Sequence, residues 1–111
     1  MHTDEKITRI RKLNDELRCM ARGGSIMLTR GVAALGEAAA NEVLAEVASF
    51  RDFTEDNDPH GEHDFGSFEL AGEKIFWKID YYDLELTYGS PDPADPTVTA
   101  RVMTVMLAEE Y

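Results

Sequence analysis

Two histidines three residues apart, His60 and His63, stand in a stretch crowded with carboxylates, Thr54-Glu-Asp-Asn-Asp-Pro-His-Gly-Glu-His-Asp64. Imidazole and carboxylate together suit Zn²⁺ or another divalent cation, and three such ligands with a water make a catalytic metal site. His60, His63 and Asp64 are the candidate ligands, with Glu62 as a base acting on the bound water. The spacing matches no metal signature: His-x-x-His in a loop fixes no geometry, unlike the i,i+4 pair of a helical zinc site. An EF-hand fails too, because Glu55, Asn57 and Pro59 do not give its ligand alternation. The same residues make an ordinary polar turn, in which Asp and Asn bond nearby backbone, Pro59 fixes φ and Gly61 permits φ > 0. Read as a binding loop, the stretch offers Asp56, Asn57, Asp58, His60, Glu62, His63 and Asp64. The expected cofactor set is none, with one divalent metal ion as the alternative.

A second group is Asp80-Tyr81-Tyr82-Asp83. Two carboxylates and two phenols at a strand end could bind a polar ligand or move protons, and Asp80, Tyr82 and Asp83 join the candidate binding surface. The ordinary alternative is a tyrosine that packs its ring and leaves its hydroxyl wet. Arg101 could pair with any of these acids. Cys19 has no local activating signature, and neither a Gly-x-Ser-x-Gly elbow nor a phosphate-cradling glycine loop occurs. The balance leans away from an enzyme.

These residues need elements to hold them. Ile7, Ile10, Leu13, Asn14, Leu17, Met20 and Ala21 share one face at 3.6 spacing, which predicts a helix over 3–21. Thr3 is its expected N-cap, with Asp4 and Glu5 in the first turn, and Gly23-Gly24 its expected stop. Arg11, Asp15, Arg18 and Arg22 fall on the opposite face and read as solvated. Residues 25–30 read as a short strand bounded by glycines. Ala39, Ala40, Val43, Leu44, Val47 and Phe50 predict a second helix over 33–52, with Gly36 either a break or an N-cap. Beyond the polar loop the period falls to two. Phe68 and Leu70, then Ile75, Trp77 and Ile79, then Leu84, Leu86 and Tyr88 predict a three-strand antiparallel meander, with a tight turn at Ala71-Gly72. Asp95-Pro96 reads as N-cap and first position of a third helix over 96–109. The expected fold is α+β: three helices on a small, mainly antiparallel sheet, in the order α-β-α-β-β-β-α.

At 111 residues the chain is expected to be one domain. Its net charge is −11, but residues 1–30 carry a net of +3 and residues 31–111 a net of −14. Such a field repels nucleic acid and favours a basic protein surface. The apolar runs are too short to cross a bilayer, the polar start shows no signal peptide, and the single cysteine fits a reducing cytoplasm.

Longer strings are familiar as wholes. Leu28-Thr-Arg-Gly-Val-Ala-Ala-Leu35, Asp52 to Gly66, Ile75-Phe-Trp-Lys-Ile-Asp-Tyr-Tyr-Asp83, Gly89-Ser-Pro-Asp-Pro-Ala-Asp-Pro96 and Met106 to Tyr111 resemble the bacterial domain-of-unknown-function family numbered thirty-seven sixty-eight. The resemblance implies a small stand-alone bacterial protein, often associated with plasmids and other mobile DNA. It brings no established activity, cofactor or catalytic residue. The expectation is an acidic binding module acting through the 54–64 loop, with a small metal-dependent enzyme using His60, His63 and Asp64 as the alternative.

Overall fold

The computed structural model describes residues 3–111. The side chain of Thr3, and with it the expected N-cap, lies outside the described residues. The order is α1 (Thr3–Met20), β1 (Ser25–Leu28), α2 (Arg30–Ala33), α3 (Glu37–Ser49), β2 (Phe65–Leu70), β3 (Glu73–Tyr82) and β4 (Ala100–Leu107), closed by a 3₁₀ turn at Ala108–Glu110. The class is α+β, as the change of hydrophobic period requires. The sheet is mixed, in the order β1-β4-β3-β2. β2 with β3 and β3 with β4 are antiparallel, and β1 lies parallel to β4 at the edge.

β3 alternates cleanly. Ile75, Trp77 and Ile79 point inward, opposite Leu107, Val105 and Met103 of β4. They meet Leu17 of α1, Val32 of α2 and Val43 and Val47 of α3 in one core. Burying each of these larger side chains contributes about 1.5–3 kcal/mol. The Trp77 indole is T-stacked on Phe50 and Phe53. It fits because Gly66 lies across from it: a Cβ there would stand 2.5 Å from Trp77 Nε1 and 2.9 Å from a Phe50 ring carbon. The β2–β3 turn is the expected Ala71-Gly72 pair, with φ of 55° and 78°, the mirror-image turn that suits a two-residue hairpin.

Four expectations are corrected. The third helix over 96–109 is the strand β4. Asp95 Oδ1 accepts from the Thr97 amide and hydroxyl (2.9 and 2.7 Å), so Asp95-Pro96 makes a local turn instead of a cap. The sequence behind it is rich in β-branched residues, which favour a strand. The third meander strand is a closed loop. The Asp83 amide donates to Tyr88 O, and Asp83 O and Oδ1 accept from the Leu86 and Thr87 amides. The second helix starts at Glu37 behind Gly36 (φ 99°), after the separate one-turn α2. α1 ends at Met20, short of the expected stop at Gly23-Gly24, because Ala21 itself takes φ 55°.

Candidate functional site

The 54–64 loop is built from within and then fastened to α1. Asn57 Oδ1 accepts from the Thr54 amide, and Asn57 Nδ2 donates to Asp52 O, both at 2.9 Å. Asp58 turns its carboxylate inward. Its Oδ1 accepts from the amides of Glu62 (2.9 Å) and His63 (3.1 Å), two donors that the turn leaves without backbone partners. From α1, Arg11 Nε donates to Gly61 O at 2.6 Å and Asn14 Nδ2 donates to Glu62 O at 3.0 Å.

Around Asn14 lies a polar network inside the protein. Asn14 is fully buried on the apolar face of α1. Its Oδ1 accepts from Arg101 Nε (2.8 Å), and its Nδ2 also donates to the Tyr81 hydroxyl (2.8 Å). That hydroxyl donates in turn to Glu62 Oε1 at 2.7 Å. Arg101, only 2% exposed, lies over the Tyr81 ring and reaches Pro93 O with its second nitrogen. Burial and the bond to Glu62 push the Tyr81 phenol far up. Burial pulls Arg101 down, offset by the fields of Tyr81 and Glu62. Tyr81 is therefore a hydrogen-bonding phenol that stays protonated.

His63 sits at the other end of the loop, at φ 56°. Its ring is stacked on Phe53, with centroids 3.8 Å apart and planes 3° apart. Nδ1 lies 3.1 Å from Asp15 Oδ1, and Nε2 3.9 Å from Asp58 Oδ2. Asp15 also takes Arg18 at 2.8 Å. Arg18 is 4% exposed, so its place on a solvated stripe is corrected. It donates to Val47 O, Ala48 O and Phe50 O at the end of α3. That end has no basic residue of its own, and a cation is favoured there by the helix dipole.

The residues singled out from the sequence thus divide. Asp58, Glu62 and His63 come together, turned inward against α1. Asp64 is half-buried, and its carboxyl is raised by burial and by the charges of Glu62 and Asp58. Asp56 and His60 are exposed, and Asn57 serves the turn. Asp80 pairs instead with Lys78 at 2.8 Å. Asp83 closes its own loop, and Tyr82 pairs with Gly89 in an isolated bridge. Among the described residues no three His, Cys, Asp or Glu side chains form a group able to hold a metal ion, so His60, His63 and Asp64 are not gathered as ligands.

Sequence reasoning missed Asn14, Asp15, Arg18 and Tyr81 as members of the cluster, and placed Arg101 on a helix. Tyr81 was within reach: the inward alternation Ile75, Trp77, Ile79 has Tyr81 as its next step. A lone asparagine between Ile10 and Leu17 was the corresponding sign on α1.

These contacts define a class of structure before they define an activity: a mixed sheet whose signature loop is clasped by an N-terminal helix through arginine and asparagine side chains. The chain belongs to the family described as Protein of unknown function (DUF3768), whose model matches residues 28–110. The matched region takes in the loop, β2, β3 and β4, and leaves out α1. No curated protein and no solved structure matches the chain.

Proposed function

We propose that this protein is a non-enzymatic binding module whose acidic loop meets a basic protein surface. The observation that carries the reading is the construction of the loop. Its chemically versatile side chains, Asp58, Glu62 and His63, are engaged with its own amides, with Tyr81 and with Asp15. This holds the backbone in one shape while Asp52, Glu55, Asp56 and His60 face solvent. A loop ordered before it meets its partner loses less conformational entropy on binding. Carboxylates on its rim raise the encounter rate with a basic surface and disfavour nucleic acid. The resemblance to proteins of bacterial mobile DNA suggests a host protein as that partner.

The test is affinity capture from a bacterial lysate with the intact chain and with Glu55→Gln/Asp56→Asn, two substitutions that leave the inner bonds in place. The reading expects a partner that salt releases and that the double variant captures poorly. The same partners held equally by both proteins would overturn it. No helix among the described residues is long and apolar enough to cross a membrane.

A further inference from the structure

The helices cover one face of the sheet and leave the other open. α1, α2 and α3 pack through Leu17, Val32, Val43 and Val47 against the inward side chains of β3 and β4. Strand alternation sends every second side chain to the opposite face. Phe65, Lys78, Thr104 and Met27 stand there in one row across all four strands, and Asp80, Val102 and Ser25 in the next.

A solvated sheet face is ordinarily polar, and this one is not. Four of the six large apolar side chains that the described residues expose gather on it. Met27, 57% exposed, and Leu84 and Leu86, both 60% exposed, border a groove of about 450 Å³ over Val102. Leu86 does so from φ 60°, a conformation that costs a non-glycine residue about 1–2 kcal/mol. Tyr111, 74% exposed, stands edge-on against Phe76 and Phe65. An exposed apolar patch of this extent marks an interaction surface.

Charge and size point to a second copy as its occupant. The chain carries −11, yet the strand positions of this face are balanced: Lys74 stands opposite Glu69, and Lys78 pairs with Asp80. The acidic 54–64 loop is fastened to α1, on the helix side. Two copies that meet on the open face therefore keep their acidic loops apart. Lys78 and Asp80 lie two residues apart on β3, Nζ 2.8 Å from Oδ2. A two-fold axis crossing β3 between them sets each Lys78 over the other copy's Asp80, the reciprocal contact that a closed dimer requires. Eight paired positions of β3 and β4 at about 3.4 Å each, across four strands about 4.8 Å apart, give a flat footprint of roughly 500 Å². Side-chain relief, the 83–89 loop and Tyr111 enlarge it towards the roughly 800 Å² that each partner of a standard interface buries. We infer that two copies of this chain pair through their open sheet faces, with the Lys78 and Asp80 charges crossed between them. The groove and the rings supply the buried apolar area, and the crossed charges set the register.

The experiment is sedimentation velocity on the full chain from about 1 to about 300 µM, the weak end of the affinities that such interfaces reach. The sedimentation coefficient should rise with concentration from that of a monomer to that of a dimer. Lys78→Asp and Asp80→Lys, each alone, set like charges against one another and should weaken the dimer at least about tenfold. Mixed in equal amounts, these two variants should regain it as a heterodimer, an outcome that loss of the pair within one chain cannot produce. Leu84→Ser/Leu86→Ser should weaken association by a similar factor, while its folding stability below the association range stays that of the parent. A monomer at every concentration, a mixture that associates no better than either variant alone, or a dimer indifferent to the serine pair would each overturn the inference. Glu55 and Asp56 lie outside this face, so loss of the dimer and loss of the lysate partner are read separately.

Discussion

The 54–64 loop and the 83–89 loop are built on opposite plans. The first is polar in sequence and turned inward: Asp58, Glu62 and His63 are engaged with backbone, Tyr81 and α1. The second is apolar in sequence and turned outward: Leu84, Leu86 and Tyr88 stand in solvent over a frame closed by Asp83. Side-chain character therefore predicts burial wrongly for Asp58 in the first loop and for the leucines of the second. What decides is backbone demand. A long turn with amides to satisfy draws carboxylates in, while a short hairpin-like loop closed by one aspartate leaves its apolar side chains nowhere to pack.

Substitutions can break that contrast. The largest effect is expected at the anchor of the clasped loop. Arg101→Leu leaves Asn14 Oδ1 and Pro93 O without their donor and should cost about 3 kcal/mol of stability, read as a fall in the denaturation midpoint. Asp58→Ala orphans the amides of Glu62 and His63 and should cost about 2 kcal/mol. Hydrogen exchange at those two amides should accelerate. On the free loop, Leu84→Ser/Leu86→Ser should stay within about 0.5 kcal/mol of the parent. A cost above that of Asp58→Ala would abolish the distinction between the loops. Leu86→Gly relieves the φ of 60° and should stabilise by up to about 1 kcal/mol, offset in part by the freer unfolded chain.

The smallest effect sharpens the electrostatics. The folded carboxyl of Asp64 is raised above its ordinary value by burial and by Glu62 and Asp58. Its contribution is therefore fully present below the unfolded pKa and is lost as pH rises through the raised folded value. Asp64→Asn should lift Tm at pH 7 by about 2 °C, with the gain shrinking as the pH approaches 4 in a melting series.

Much of the fold was legible, and the exceptions share a cause. The β2–β3 hairpin and its turn follow from alternation in Phe68 to Ile79 and from Ala71-Gly72, since one covered face of an antiparallel pair leaves a clean period of two. β4 escaped because it carries an apolar residue at nearly every step, which looks like a widened helical arc. Leu84 to Tyr88 alternates as a strand would, yet no neighbour is left to pair with it. In the candidate site, the turn chemistry of Asn57 and Asp58 was readable locally. The roles of Arg18 and Asn14 were not, because their partners, Val47 O and Glu62 O, are backbone carbonyls that every residue type offers alike.

The parallel pairing of β1 with β4 also sets an order of events in time. The β2–β3 hairpin closes through a two-residue turn, an event of about microseconds. β1 can join only after β4 exists, and the Asn14–Arg101 bond beside it spans 87 residues of chain. Contacts of such separation carry the loop-closure entropy that slows folding. On a ribosome, β1 is made before the segments that separate it from β4, and it waits for them before it finds its neighbour. During that interval Ile26, Met27 and Leu28 have no sheet partner on either side.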